Sequence, residues 1–240
     1  MHLQNLHIAL NRTFYDQQLS RNLVLGRPGG GQYDYYCLLS GVDYPIKTQQ
    51  YIHEFLTKFQ GKEFVALTKT KSQKESEEVT YKTGYYWILS DYFRTNNVVI
   101  QKLTNLIRNT FVDLQKILGV KRKYKMELRK GSHWCIITND FCKFILKNKS
   151  YVLKAFKHTL CADEIWMPSI LNSSPYKDNV FDFKNPGRSC MREIDWNRGT
   201  PYVWQFEDYD QLVHSDRLFA RKMNRSSLPL IHKLKENHIV

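Results

Sequence analysis

Few residues in this chain are placed to do chemistry. An acidic pair, Asp163-Glu164, stands immediately before the apolar run IWMPSIL. At a helix start, exposed amides and the dipole favour carboxylates, so a plain cap is one reading. The other is a general base: a Glu164 backed by Trp166 and Met167 would be partly desolvated, which raises a carboxyl's pKa and makes it a better base. Asp43, in SGVDYPIKT, follows an expected strand and precedes Pro45. The carboxyl ends of strands are where α/β sheets build sites, although an aspartate that caps a turn has the same signature. Lys222 in LFARKMN sits with Arg221 and Arg225, and Arg192 and Arg198 flank IDWN. Cations so grouped can neutralise a diphosphate leaving group without a metal, or can simply be solvated.

Other chemistries find less support. DYD at 208–210 has a two-carboxylate spacing that divalent cations favour, but FEDYDQL also reads as a capped helix start. The histidines show no HxxxH spacing and the cysteines no CxxC pair, and GxGxxG, GxxxxGK[ST] and GxSxG are all absent. Zinc enzymes, Rossmann dehydrogenases, P-loop NTPases and serine hydrolases with a nucleophile elbow are therefore disfavoured. Trp134, Trp166, Trp196 and Trp204 fall in the motif-bearing half. Their faces can pack on sugar rings and bases, with core packing the default for each.

These residues need elements to hold them. QNLHIALNRTFYDQQL has helix-compatible spacing and is closed by the loop GRPGGGQ. The aromatic and aliphatic stretch 33–41 reads as a strand, and Thr48 is placed to cap a helix QQYIHEFLTKF with Tyr51, Phe55 and Phe59 along one face. A short strand is expected at 62–68. The charged KTKSQKESEEV after it reads as a mobile surface loop remote from function. Residues 98–118 form the clearest helix, with Val99, Leu103, Ile107, Leu114 and Leu118 near one scaffold-facing stripe and Gly119 as a left-handed stop. GSHWCIIT is a strand entered through Gly131. Asn139 or Asp140 then caps FCKFILKN, YVLKAFKHTL is a further helix, and turn formers dominate 172–201.

Composition sets the outer limits. The 240 residues are 42 % hydrophobic and 25 % charged, which excludes disordered, collagen-like and disulfide-scaffold classes. With no repeats and no internal linker, one α/β domain over 1–240 is expected. No apolar run approaches the length of a membrane span, and MHLQNLHIALNRTFYDQQ lacks the layout of a signal peptide. Five cysteines, an odd number with four among apolar or aromatic neighbours, read as reduced thiols of a cytosolic protein. Lys plus Arg 36 against Asp plus Glu 23 gives a net charge of +13, a potential that favours polyanions such as nucleic acid, anionic lipid or nucleotide diphosphates. The densest cluster, KRKYKMELRK at 121–130, is either a solvated basic face or a surface that meets phosphate.

Five segments, in order, carry a resemblance. YDYYCLLSGVDYPIKTQQYIHEFL, KGSHWCIITNDFCKFIL, ADEIWMPSILNSS, MREIDWNRGTPYVW and DYDQLVHSDRLFARKMN, spanning about 33–224, resemble the core 2 and I-branching β-1,6-N-acetylglucosaminyltransferases. This is glycosyltransferase family 14, which includes the peptide O-xylosyltransferases. The resemblance implies a GT-A-like α/β fold, a UDP-sugar donor carrying N-acetylglucosamine or xylose, inversion at the anomeric carbon, and no cofactor or metal. It implies Glu164 as the general base and Lys222 on the donor diphosphate, with Arg198 nearest to a second phosphate-binding arginine. Asp43, Trp134, Asp163 and Trp196 match motif positions that could bind substrate.

The match also sets expectations about the ends and the setting. Family domains carry some tens of residues before this point, so the chain is expected to lack the first strands, including part of the donor pocket, and 225–240 to be a C-terminal tail. The lysine-rich composition without a cysteine framework is similar to a bacterial-type member. Such a protein would be cytoplasmic, peripheral at the inner membrane face, and would act on a surface polysaccharide or lipid-linked oligosaccharide, with no nucleic-acid partner. Two other classes are kept: a non-catalytic remnant that binds a glycan or partner, and a basic nucleic-acid binder using 121–130.

Overall fold

In the computed structural model, residues 6–11, 33–89 and 97–238 are described. The central layer is a four-stranded mixed sheet in the order β1-β2-β5-β4. Its strands are β1 (Leu6–Asn11), β2 (Tyr35–Ser40), β4 (Phe64–Val65) and β5 (Cys135–Thr138). β1 runs parallel to β2, and β5 runs antiparallel to both β2 and β4. A smaller sheet, β3-β7-β6, is made of β3 (Asp43–Pro45), β6 (Arg192–Ile194), which follows the one-turn helix α7 (Pro186–Ser189), and β7 (Phe219–Arg221).

The run YYCLL of β2 has no polar face because both of its faces are covered. Alternate side chains point to opposite sides of a strand. Tyr36 and Leu38 accordingly join one buried cluster with Cys135 and Ile137, while Tyr35, Cys37 and Leu39 join another with Ile136 and Phe64. The first cluster is closed by α4 (Asn139–Lys147), α5 (Lys149–Phe156) and α6 (Trp166–Asn172). The second is closed by α1 (Gln49–Lys58) and by Phe219 of β7, so the two sheets share a core. A third cluster under the small sheet holds Trp204, Ala220 and Met223 against α8 (Tyr209–His214) and α9 (Leu228–His238). The expected tail is thus largely helix α9, with Leu230 and Leu234 fully buried.

Several expectations hold. Thr48 caps α1 by accepting the Tyr51 amide at 3.0 Å, the strand at 33–41 is β2, and α3 (Val98–Ile117) ends at Gly119 with φ +64°.

Others are corrected. The opening segment is strand β1 at 6–11 and not helix, because Leu6, Ile8 and Leu10 recur every second residue, which suits a strand paired with β2. The rest of that segment and GRPGGGQ lie outside the described residues. Part of the supposed mobile loop is helix α2 (Gln73–Thr83), capped by Ser72 on the Glu75 amide. Its charges are not merely solvated, since Glu75 pairs with Arg129, which is 2 % exposed. α4 is capped by Thr138 through the Phe141 amide, not by Asn139 or Asp140. In α3 the apolar stripe faces outward, and the body-facing side chains are Thr104, Arg108, Val112 and Gln115. Among the described residues no helix is long and apolar enough to cross a membrane.

Candidate active site

The site begins where the two sheets meet. β2 ends at Ser40 and the chain turns directly into β3, whose register sets Asp43 opposite Arg221 of β7. The Asp43 carboxylate is fully buried; it accepts the Ser40 amide at 2.8 Å and the Arg221 Nη1 at 2.9 Å. Arg192 of β6 brings its Nε to 3.8 Å, while its other nitrogens donate to the Leu38 and Cys190 carbonyls. One carboxylate thus meets two guanidinium groups, and positive charge is left over. Arg221 also reaches the Ser40 hydroxyl and lies 4.3 Å over the Trp134 ring. The Trp134 Nε1 is buried with no hydrogen-bond partner among the described residues, an orphaned donor.

From Trp134 the contacts continue to the acidic pair. His133 stands 3.6 Å from Asp163 through its Nδ1. Burial pushes the imidazole below its ordinary pKa, opposed by Asp163 and reinforced by Arg221. Two residues earlier, Gly131 donates its amide to the Glu164 carbonyl at 2.9 Å. A Cβ at Gly131 would lie 2.0 Å from the Ala66 carbonyl oxygen and 2.9 Å from Pro168, so only glycine fits where this segment passes between the end of β4 and α6.

Glu164 ends a 3-10 turn, Ala162–Glu164, that leads into α6; neither acid caps a helix. Its surroundings differ from the apolar pocket expected from Trp166, because Trp166 and Met167 are core. The Glu164 carboxylate is instead 38 % exposed and hydrogen-bonded through Oε2 to the Lys82 ammonium at 2.6 Å. Burial alone would lower the Lys82 pKa, but the Glu164 hydrogen bond and charge outweigh it and raise it above the ordinary lysine range. Oε1 of Glu164 makes no hydrogen bond among the described residues and is free to accept one.

Lys82 belongs to α2, so the stretch read as remote from function supplies a partner of the candidate base. α2 also anchors the second half of the basic cluster. Glu75 accepts from Arg129 Nε at 2.8 Å and from the Lys130 amide at 2.9 Å, and Glu78 pairs with Lys130. Arg122 is likewise spent, on the carbonyls of Tyr85, Ala155 and His158. The cluster is thus not one phosphate-facing surface, although Lys121, Lys123 and Lys125 remain exposed. A cavity of about 400 Å³, bordered by Thr68, Glu75, Lys130, Ser132 and Pro186, lies beside Gly131.

The remaining candidates separate. Lys222 follows Arg221 across a cis peptide, and its backbone is laced to Tyr202 and Trp204. Its ammonium has no hydrogen bond or ion pair among the described residues, so its charge is uncommitted. Arg198 is committed: it donates to Asp195, Asp208 and Gln211 and stacks 4.0 Å over Tyr202. A phosphate would have to displace two carboxylates from it. Asp208 also accepts the Gln205 amide, the capped-turn reading of DYD. Trp196 is 59 % exposed and Trp204 is buried core. Among the described residues no three His, Cys, Asp or Glu side chains converge as a metal site.

Sequence reasoning missed Lys82, His133, and the pairing of Arg192 and Arg221 with Asp43. For Lys82 a signal existed: SQKE at 72–75 is a capping-box pattern that announces a helix.

The chain is a member of the Core-2/I-branching enzyme family, whose model matches residues 15–216. A particular relative is Xylosyltransferase oxt of Drosophila pseudoobscura pseudoobscura, 23 % identical over 214 residues. That match covers 80 % of this chain and 21 % of the relative, so the chain spans about a fifth of that protein's length. The family match starts upstream of the expected 33 and stops before 224, which leaves Lys222 beyond its last residue.

Proposed function

We propose that this chain is a glycosyltransferase that moves a sugar from a UDP-sugar to a hydroxyl of a glycan, with inversion and without a metal. The observation that carries this reading is the Glu164 carboxylate, half-exposed, held through one oxygen by Lys82 and open at the other. Family membership and the relative's name, a xylosyltransferase, support it. The mixed sheet, covered on both faces, is compatible with a GT-A-like domain.

In this mechanism Glu164 Oε1 takes the proton of the acceptor hydroxyl as its oxygen attacks the anomeric carbon. The bond from that carbon to the diphosphate breaks, and the electron pair leaves with the nucleoside diphosphate. Lys222, the residue after Arg221, stabilises the negative charge that develops there. Arg198 meets the diphosphate only by exchanging the Asp195 and Asp208 carboxylates for it. Trp196 offers an exposed face to a sugar ring, and Trp134 offers its free indole N–H to a substrate oxygen. Xylose and N-acetylglucosamine are the candidate sugars. The acceptor is a surface polysaccharide or lipid-linked oligosaccharide reached from the cytoplasmic side.

Thermal unfolding in EDTA with UDP, UDP-xylose and UDP-N-acetylglucosamine tests the reading. Ligand at about 100 times its dissociation constant stabilises by roughly 2.7 kcal/mol, a shift of several degrees. One sugar nucleotide should give that shift in wild type and in Glu164→Gln, and none in Lys222→Ala. No shift with any nucleotide would refute a donor site in this chain.

A further inference from the structure

Helix α3 presents its two kinds of surface the wrong way round for a helix that serves only as scaffold. An ordinary surface helix turns its apolar stripe to the core. Here the arc facing the body carries Thr104, Arg108, Val112 and Gln115; Gln115 is hydrogen-bonded to the backbone of Tyr86, and Arg108 lies over Trp87. The outward arc carries Val99, Leu103, Leu106, Ile107, Leu114 and Ile117, each between 43 % and 82 % exposed. At 100° per residue these six fall within roughly 100° of the circumference, a strip along the whole helix interrupted only by Thr110. An apolar strip of that kind on a folded protein marks a docking surface.

The charge around the strip says what docks there. Between 98 and 125 the single acid is Asp113, which pairs with Lys116 at 2.7 Å; Lys102, Lys121, Lys123 and Lys125 are left, all exposed. The last three alternate along an extended segment that begins just past the end of α3 and is pinned to α5 by Arg122 and by the Lys125 amide on the Tyr151 hydroxyl. An apolar strip flanked by uncompensated lysines complements a surface that is apolar within and negative at its edge. That is the chemistry of an anionic bilayer.

We propose that α3 is an interfacial helix that seats its outward apolar face in an anionic lipid surface, with Lys121, Lys123 and Lys125 on the headgroups. The two signals act together: apolar burial holds the helix at the acyl boundary, and the lysines select negative lipid. None of the residues placed in the candidate site lies on α3, so the proposal stands apart from the transferase reading.

Flotation of the full chain with vesicles of phosphatidylcholine, with or without phosphatidylglycerol, tests it. Wild type should float with the anionic vesicles and much less with the neutral ones. Leu106→Glu with Ile117→Glu should abolish flotation while thermal unfolding stays unchanged, because both positions face outward. Lys121→Glu with Lys123→Glu should lower partitioning by on the order of tenfold or more on anionic vesicles, with little effect on neutral ones. The proposal is overturned if wild type ignores anionic vesicles or if the α3 variant floats undiminished. It is also overturned if the wild type is a dimer that this variant makes monomeric, or if the variant unfolds because part of the chain itself covers the face.

Discussion

Lys82 and Glu164 are 82 positions apart in sequence and 2.6 Å apart in the fold. The lysine holds one carboxylate oxygen and so fixes where the other points, which makes it a positioning residue for the proposed base. Glu164→Gln should lower kcat by about 10² to 10⁴, the usual worth of a general base. Lys82→Met should lower kcat by roughly tenfold to a hundredfold, with the thermal shift on donor nucleotide unchanged and activity partly restored in Lys82→Arg. Equal loss in Lys82→Arg and Lys82→Met, or a lost nucleotide shift, would assign Lys82 to another role. The acids and Lys222 could be singled out because their neighbours in sequence carry a recognisable pattern. Lys82 could not, because its pairing with Glu164 depends on a partner far along the chain.

Among the elements, those with local signals were read correctly. The Thr48 cap, the apolar run of β2 and the periodicity of α3 with its Gly119 stop are all properties of a few adjacent residues. α2 failed because its charges look solvated until Arg129 and Lys130 arrive from more than 50 positions away. β1 failed because Leu3, Leu6 and Leu10, spaced three and four apart, also fit one side of a helix, and only Ile8 between them marks the two-residue period of a strand. α3 was found, but its orientation was inverted, since periodicity shows that a stripe exists and not which side the body occupies.

Between β4 and α4 lies one buried acid, Glu63, which accepts from the Thr138 amide and hydroxyl at the helix start. Burial pushes its carboxyl up to about 7, more than the Thr138 hydrogen bonds pull it down. Because the folded pKa is raised, the stability from holding this proton is present in full below the unfolded value of 4.5 and is lost as pH rises through about 7. Between pH 5 and 8 wild type should therefore lose on the order of 3 kcal/mol more stability than Glu63→Gln, read from urea midpoints. Parallel pH profiles for the two proteins would remove Glu63 as the cause.

At the scale of the whole molecule, Asp43 bolts the two sheets together. It meets Arg192 and Arg221 of the small sheet, and Arg192 in turn holds the Leu38 carbonyl of the large one. Asp43→Asn leaves the fully buried Arg192 without a counter-charge, which should cost about 3 to 5 kcal/mol and lower Tm by roughly 10 °C. A change of only one or two degrees would show that the carbonyls alone satisfy both arginines. Asp43 was singled out in sequence for its place after a strand, but that it joins two sheets depends on β6 and β7, about 150 to 180 residues later.

The cysteines turn these arrangements into a clock. Cys37, Cys135, Cys142 and Cys190 are buried, and burial raises the thiols of Cys37 and Cys142 to about 12 and about 11, so little thiolate forms while the chain is folded. Cys161 alone is half-open, held with a left-handed backbone two residues before Asp163. A thiol reagent therefore meets Cys161 ahead of the four buried thiols, which react only when the core opens. The rates of those four report how often the fold comes apart.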